Sequence, residues 1–260
     1  MRATRNIWLI ARTILLEALR RRELYAIVLV SVLLLAGLRF VTFFDIEGLS
    51  KFYREIALKT MNLATALVAI LLAARQLPRE FKNRTLYPLL AKPVTRLEFL
   101  LGKYVGVLLA TGFCYAMFLV IFVVACVSLK APVNYGLFAQ GICLQAVSIS
   151  VVSAMTFLLS LLLNIDAAIT LATLLFMSSQ VLMTLMSYLW DVVGSVQRAL
   201  IIGLHYLIPQ LTLFDVSAKI THNIWAPLPL KSMMTLSAYG LVYSFIFLSL
   251  AYVLFRKRPI

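Results

Sequence analysis

The two histidines, three cysteines and ten carboxylates are the side chains from which a metal site, a redox pair or a proton relay would have to be built. His205 and His222 stand 17 residues apart, without a convincing third ligand and without the spacing of a metal motif. Cys114, Cys126 and Cys143 are odd in number and sit inside apolar runs, where a thiol serves as a small packing group rather than half of a disulfide. Asp166, in the tight stretch Asn164-Ile165-Asp166 between two apolar runs, could move a proton, but its placement suits capping of the next helix better. Gly102-Lys103 ends like a phosphate-binding loop yet lacks the upstream glycine and the following Ser or Thr, so the chain is not expected to hydrolyse ATP alone. No catalytic residue, metal site or resident cofactor is expected.

The elements that hold these residues are hydrocarbon-seeking. The chain is 63% hydrophobic and only 13% charged, with a mean hydropathy of +0.98, a balance that suits an integral membrane protein. The net charge of +14 gathers at the ends of apolar runs instead of interleaving with aromatics along one surface. That pattern points to a membrane surface and away from nucleic acid. Six spans are expected at 24–44, 57–74, 104–128, 137–163, 167–190 and 233–255, the second of them short for a hydrocarbon crossing. Six crossings put both termini on one side, which holds six Lys and Arg in 1–23, seven in 75–103 and three in 256–258. The opposite loops hold six, so both termini and loop 75–103 are expected in the cytoplasm.

Residues 1–23 precede the first span as a unit of their own. A helical projection sets Ile7, Trp8, Ala11, Ile14, Leu15 and Ala18 on one side and Arg5, Arg12, Thr13, Glu17 and Arg20 opposite. This predicts a helix along the inner membrane surface, with Trp8 and Arg12 at the headgroups and Arg20, Arg21 and Arg22 holding the turn into the first span. Residues 24–260 form the six-helix domain. Within it, the outer loop 191–232 stays apolar around Pro209 and is expected to form short helices on or dipping into the outer leaflet. Arg39 and Lys59 read as boundary anchors that could pair with Asp45, Glu47 or Glu55. Gln140, Gln145 and Gln180 are candidates for interhelical hydrogen bonds or a polar lining, and Gly102, Gly106 and Ala110 repeat at spacing four as a surface for another helix. Which helix that is cannot be read from the spacing.

The most informative stretch is KNRTLYPLLAKPVTR, residues 82–96. Pro78 and Pro88 limit where a helix can begin or continue, Glu80 can pair with Arg84, and Pro93 breaks the chain. Thr95-Arg96-Leu97-Glu98 then has the form of a capping box that opens a helix running into the third span. An apolar patch of Leu86, Tyr87, Leu89 and Leu90 beside Arg84, Lys92 and Arg96 has the character of a docking surface with a charged rim. A plain positive-inside loop would carry the same charges, so the residues alone leave both readings open.

Residues 79–103, REFKNRTLYPLLAKPVTRLEFLLGK, resemble the cytoplasmic signature of ABC-2 type transporter permease subunits, in particular the multicopper-enzyme-maturation and export subgroup. The matching places are Glu80, Thr85, Leu89, Leu90, Pro93, Val94, Thr95, Arg96, Gly102 and Lys103. Many members carry Gly before the Thr; Arg84 stands here, as in the copper-associated subgroup. The resemblance implies a membrane half-transporter in a bacterial or archaeal plasma membrane, paired with a second permease, commonly identical, and with a cytoplasmic ATPase dimer that holds the ATP and Mg. It assigns Glu80, Arg84, Thr85, Leu89, Pro93, Arg96 and Lys103 to a coupling helix at the ATPase interface. The apolar character of the outer loop would suit an amphipathic or lipid-linked substrate, and suits equally a helix that closes the extracellular gate. A scaffold that binds another cytoplasmic protein through loop 75–103 is the alternative.

Overall fold

The computed structural model describes residues 2–20, 49–82, 95–128, 135–189, 209–222 and 227–257, together with positions 25, 28, 29, 32, 33, 194 and 203. The regular elements among them are all helical. They are α1 (Arg2–Leu19), α2 (Leu49–Lys82), α3 (Arg96–Ser128), α4 (Tyr135–Leu162), α5 (Ile165–Leu189), a 3-10 turn (Leu211–Phe214), α6 (Ser217–His222) and α7 (Leu230–Lys257). The protein is an all-α polytopic membrane protein, but the expected count of six spans is corrected. Among the described residues four helical segments are long and apolar enough to cross: Glu55–Pro78, Arg96–Val124, Tyr135–Leu162 and Leu230–Lys257. The expected first span, 24–44, and Arg39 within it lie outside the described residues apart from scattered positions. The expected fifth falls in α5, whose described apolar part, Ile165–Val181, is shorter than the roughly 20 residues a crossing needs.

The second span is longer than its apolar core implied. The span runs to Pro78, and the α2 helix continues through it to Lys82. Pro78 lacks the N–H that would bond the Ala74 carbonyl, so the disturbance falls on the turn before it, close to the end of the helix.

α4 is the central element. Its residues 151–157 are all buried, the pattern of a helix enclosed by protein on every side. α7 crosses it closely at Gly240, where an added Cβ would clash with Val147 Cγ1. Tyr104, Ser150 and Ser244 tie α3, α4 and α7 through hydroxyl contacts of 2.6 Å and 3.0 Å, interhelical bonds that suit an apolar surround. Away from α4, α7 exposes Leu241, Val242, Phe245 and Ile246, as a lipid-facing helix does.

The expected outer-leaflet helices are also corrected. The 3-10 turn and α6 lie within the protein: Leu211, Phe214, Val216 and Ile220 are buried in the same core as α2 and α4. Leu211 N–H donates to Ser179 Oγ at 2.7 Å and Gln210 N–H to Tyr239 Oη at 3.1 Å. These bonds satisfy an irregular backbone that bare lipid would leave unpaired. Gln140 completes the segment, with Nε2 donating to Leu228 O at 3.0 Å and Oε1 accepting from Leu228 N–H at 2.9 Å. Lys59 pairs with Glu55 at 2.7 Å, one of the partners expected for it. Asp166 stands exposed in the first turn of α5, one residue past its start, where the helix dipole favours a carboxylate. Asn164 takes the cap position, its carbonyl accepting from Ala168 N–H at 2.8 Å.

Candidate coupling site

The N-terminal end of α3 is built from a short local signal. Thr95 Oγ1 accepts from Glu98 N–H at 3.2 Å, and Thr95 N–H donates to Glu98 Oε2 at 3.3 Å, the reciprocal bonds of a capping box. Asn6 Nδ2 of α1 donates to the same Glu98 oxygen at 3.3 Å. The carboxylate therefore closes the helix and also holds α1. Thr95→Ala is expected to cost about 0.5–2 kcal/mol, and Glu98→Ala more, because it removes the α1 contact too. Glu98→Gln should keep much of both. Thermal unfolding of the purified protein in detergent orders the three; equal midpoints would contradict the assignment.

Beyond the cap, α1 and α3 lie side by side. Gly102 faces Ile10 and Gly106 faces Ile14, with would-be Cβ distances of 2.9 Å and 2.8 Å. The pairs Asn6–Glu98, Ile10–Gly102 and Ile14–Gly106 advance together, so the two helices run in the same direction. The partner of the small-residue stripe is thus α1 of the same chain. Ala11, Ile14 and Ala18 are buried in this contact. Trp8, grouped with them by projection, is 58% exposed. It sits at the edge of the docked face beside exposed Arg5 and Arg12, and an indole has no room against glycines that admit only close backbone approach.

Two further contacts bring in α2 and α7. Arg96 Nη1 donates to Arg256 O at 2.8 Å, and the Phe99 and Phe255 rings stack with centroids 6.1 Å apart. Lys103 is buried, its Nζ 3.3 Å from Gln76 Oε1 of α2 and 5.5 Å from the Phe99 ring centre. It joins α3 to α2 inside the bundle, where it can support a surface but not form one. Glu80 lies on the last turns of α2. Arg84, Thr85, Leu89 and Pro93, like Arg21 and Arg22, lie outside the described residues. Arg20 is exposed just past α1, and its N–H donates to Glu17 O at 3.2 Å.

One end of the bundle therefore collects the N-terminal helix, the C-terminal end of α7 and both helix ends that flank residues 83–94. Sequence reasoning missed Asn6, Gln76, Phe255 and Arg256. Asn6, Ile10 and Ile14 repeat at the same spacing as Glu98, Gly102 and Gly106, and matching the two periods was the available signal.

The profile of the family described as ABC-2 family transporter protein matches residues 8–259, nearly the whole chain from α1 to α7. The chain belongs to this family. Comparison with individual curated proteins gave no match. As an ABC-2 family transporter the protein is a membrane permease, and membership implies a cytoplasmic ATPase partner. Among the described residues, no group of three or more His, Cys, Asp or Glu could hold a metal ion; His205 lies outside them.

Proposed function

We propose that the chain is the permease subunit of an ATP-driven exporter and that residues 83–94 dock on the ATPase. Both termini and this connection face the cytoplasm, and the complex contains two permeases, of the same chain, with an ATPase dimer carrying ATP and Mg. The exported molecule is amphipathic or lipid-linked. The observation that carries the reading is the convergence at the start of α3: a push on 83–94 meets a capped helix end already tied to α1, α2 and α7. Such a junction moves as a unit, the property a mechanical relay between two states requires.

In this reading Arg84, Thr85 and Leu89 make the contact, Glu80, Pro93 and Arg96 shape its ends, and Lys103 keeps α3 registered on α2. The exposed Trp8 and Arg12 of α1 stay with the inner-leaflet headgroups, and Arg20, Arg21 and Arg22 hold the turn after α1. The Arg84-Thr85 pair supports membership of the multicopper-enzyme-maturation and export subgroup.

The test is ATPase activity of the assembled complex with Arg84→Glu and Leu89→Asp. Each is expected to lower permease-dependent ATP hydrolysis by about tenfold or more, the loss of roughly 1.4 kcal/mol or more of interface energy. Full activity and assembly in both variants would refute the docking surface. Stable capture of a cytoplasmic protein that lacks a phosphate loop would replace the exporter with a scaffold.

A further inference from the structure

At the other end of the bundle, α2, α4, α5 and the segment 209–222 enclose a cavity of about 240 Å³. This is the liquid volume of roughly eight waters and less than the 300–1,000 Å³ typical of sites that hold whole drug-sized ligands. Two of its walls are polar side chains with unspent hydrogen-bonding capacity. Gln145 and Ser148 lie on one face of α4, are each only 5% exposed, and line the cavity. Neither makes a hydrogen bond with the described residues. Their side chains line the cavity, where water or a bound group can meet their hydrogen-bonding needs. Gln145 lies ten residues past Tyr135 at the start of α4, a depth of about 15 Å along the helix. The unpaired groups thus stand well inside the apolar span.

Each charge around the cavity is already engaged, one by an ion pair and one by hydrogen bonds. Lys59 is held by Glu55 at 2.7 Å. Asp215 accepts from Asn62 Nδ2 at 3.3 Å, from Ser217 N–H at 3.0 Å and from the Ser217 hydroxyl. What remains on offer is amide and hydroxyl chemistry, with Gln180 as a further lining amide. Leu63 and Met177 line the same cavity and are 37% and 36% exposed, which gives it an apolar rim. An anionic headgroup would meet the Asp215 carboxylate while Lys59 is already held by Glu55, and a cationic one would have to compete with Asn62 and Ser217 for Asp215 and face Lys59. An uncharged group rich in hydroxyls can both donate to and accept from the glutamine and serine, while an attached chain lies over the rim.

We propose that this cavity is a binding site for the uncharged, hydroxyl-bearing headgroup of an amphiphile, held by Gln145 and Ser148. The site is independent of the ATPase contact at the opposite end.

The test uses the full chain in phosphatidylcholine nanodiscs, labelled with an octyl glucoside that carries a diazirine in its tail and mapped by peptide mass spectrometry. Competitors are unlabelled octyl glucoside, octyl phosphocholine, octyl sulfate and free glucose, all below micelle-forming concentrations. Label on the peptides containing Leu63 or Met177 is expected, displaced by octyl glucoside at about tenfold lower concentration than by the charged or zwitterionic probes. Binding should weaken about tenfold in Gln145→Leu and less in Ser148→Ala, and Gln145→Asn should recover part of it, each change being about the scale of one hydrogen bond. Should Gln145→Leu fail to fold, Ser148→Ala carries the comparison. Equal displacement by all tails, labelling confined to other helices, or no change in the folded variants would overturn the site. Displacement by free glucose at the same concentration would overturn its assignment to an amphiphile.

Discussion

Gly106→Leu is expected to lift α1 from α3 and destabilise the protein by about 1–3 kcal/mol, the usual range for forcing bulk into a packed contact. A Cβ at this position would stand 2.8 Å from both Ile14 Cβ and Ile14 Cδ1 and 3.1 Å from Ala11 Cα. A side chain can rotate, but the Ala11 backbone yields only if the helix itself moves. Gly102 is more forgiving, since its nearest neighbours are all atoms of the Ile10 side chain. Gly112, on the same helix, has nothing within 4 Å of a would-be Cβ, so Gly112→Leu should fall within about 0.5 kcal/mol of the parent. Docking can be read directly from Ala11, which is fully buried. A cysteine placed there should react with a maleimide faster once Gly106 is enlarged, and Ile14→Ala should restore part of the protection to Gly106→Ala. Equal stability and equal reactivity of the Gly106 and Gly112 variants would show that α1 does not rest on this stripe.

Gln140→Leu is expected to free the start of α7. The glutamine holds both the carbonyl and the amide of Leu228, two residues before the helix begins at Leu230. Its removal leaves two backbone groups without these partners, at about 1–3 kcal/mol each. Partial exposure of Leu228 puts each nearer the lower figure, because solvent can recover some of the loss. Hydrogen exchange at the Leu228 amide should accelerate in step with the lost stability. Gln140→Glu should fall between the parent and Gln140→Leu, since it can still accept from the amide but turns an acceptor toward the carbonyl. Unchanged exchange in Gln140→Leu would mean that other contacts hold the segment.

Much of the candidate coupling site was legible because its signals are local. A T-x-x-E run after a proline specifies a helix start from backbone chemistry, and Thr95 and Glu98 make those two bonds. The stripe at Gly102 and Gly106 was legible as a place of close approach, but spacing names no partner; only the fold brings Ile10 and Ile14 to it. Lys103 read as part of an interface motif, and in the fold it is buried against Phe99 and bonded to Gln76. The apolar outer loop was misplaced because hydropathy measures affinity for an apolar surround without distinguishing lipid from protein. Residues 211–214, Leu-Thr-Leu-Phe, have the same preference as a lipid-lying helix, yet neighbouring helices bury Leu211 and Phe214, and Ser179 and Tyr239 accept from the Leu211 and Gln210 amides.

The sequence by itself determined the solvent the protein lives in, the helical class and the cap of α3, since these depend on composition and on contacts within one turn. The tertiary structure alone decided which helix covers the glycine stripe, where the apolar loop goes and which buried amides are left unspent. Gln140 and Gln145 are the same residue type on one helix, five positions apart. The first meets a peptide group from a distant segment, the second a cavity, and that difference arises only when separate helices come together.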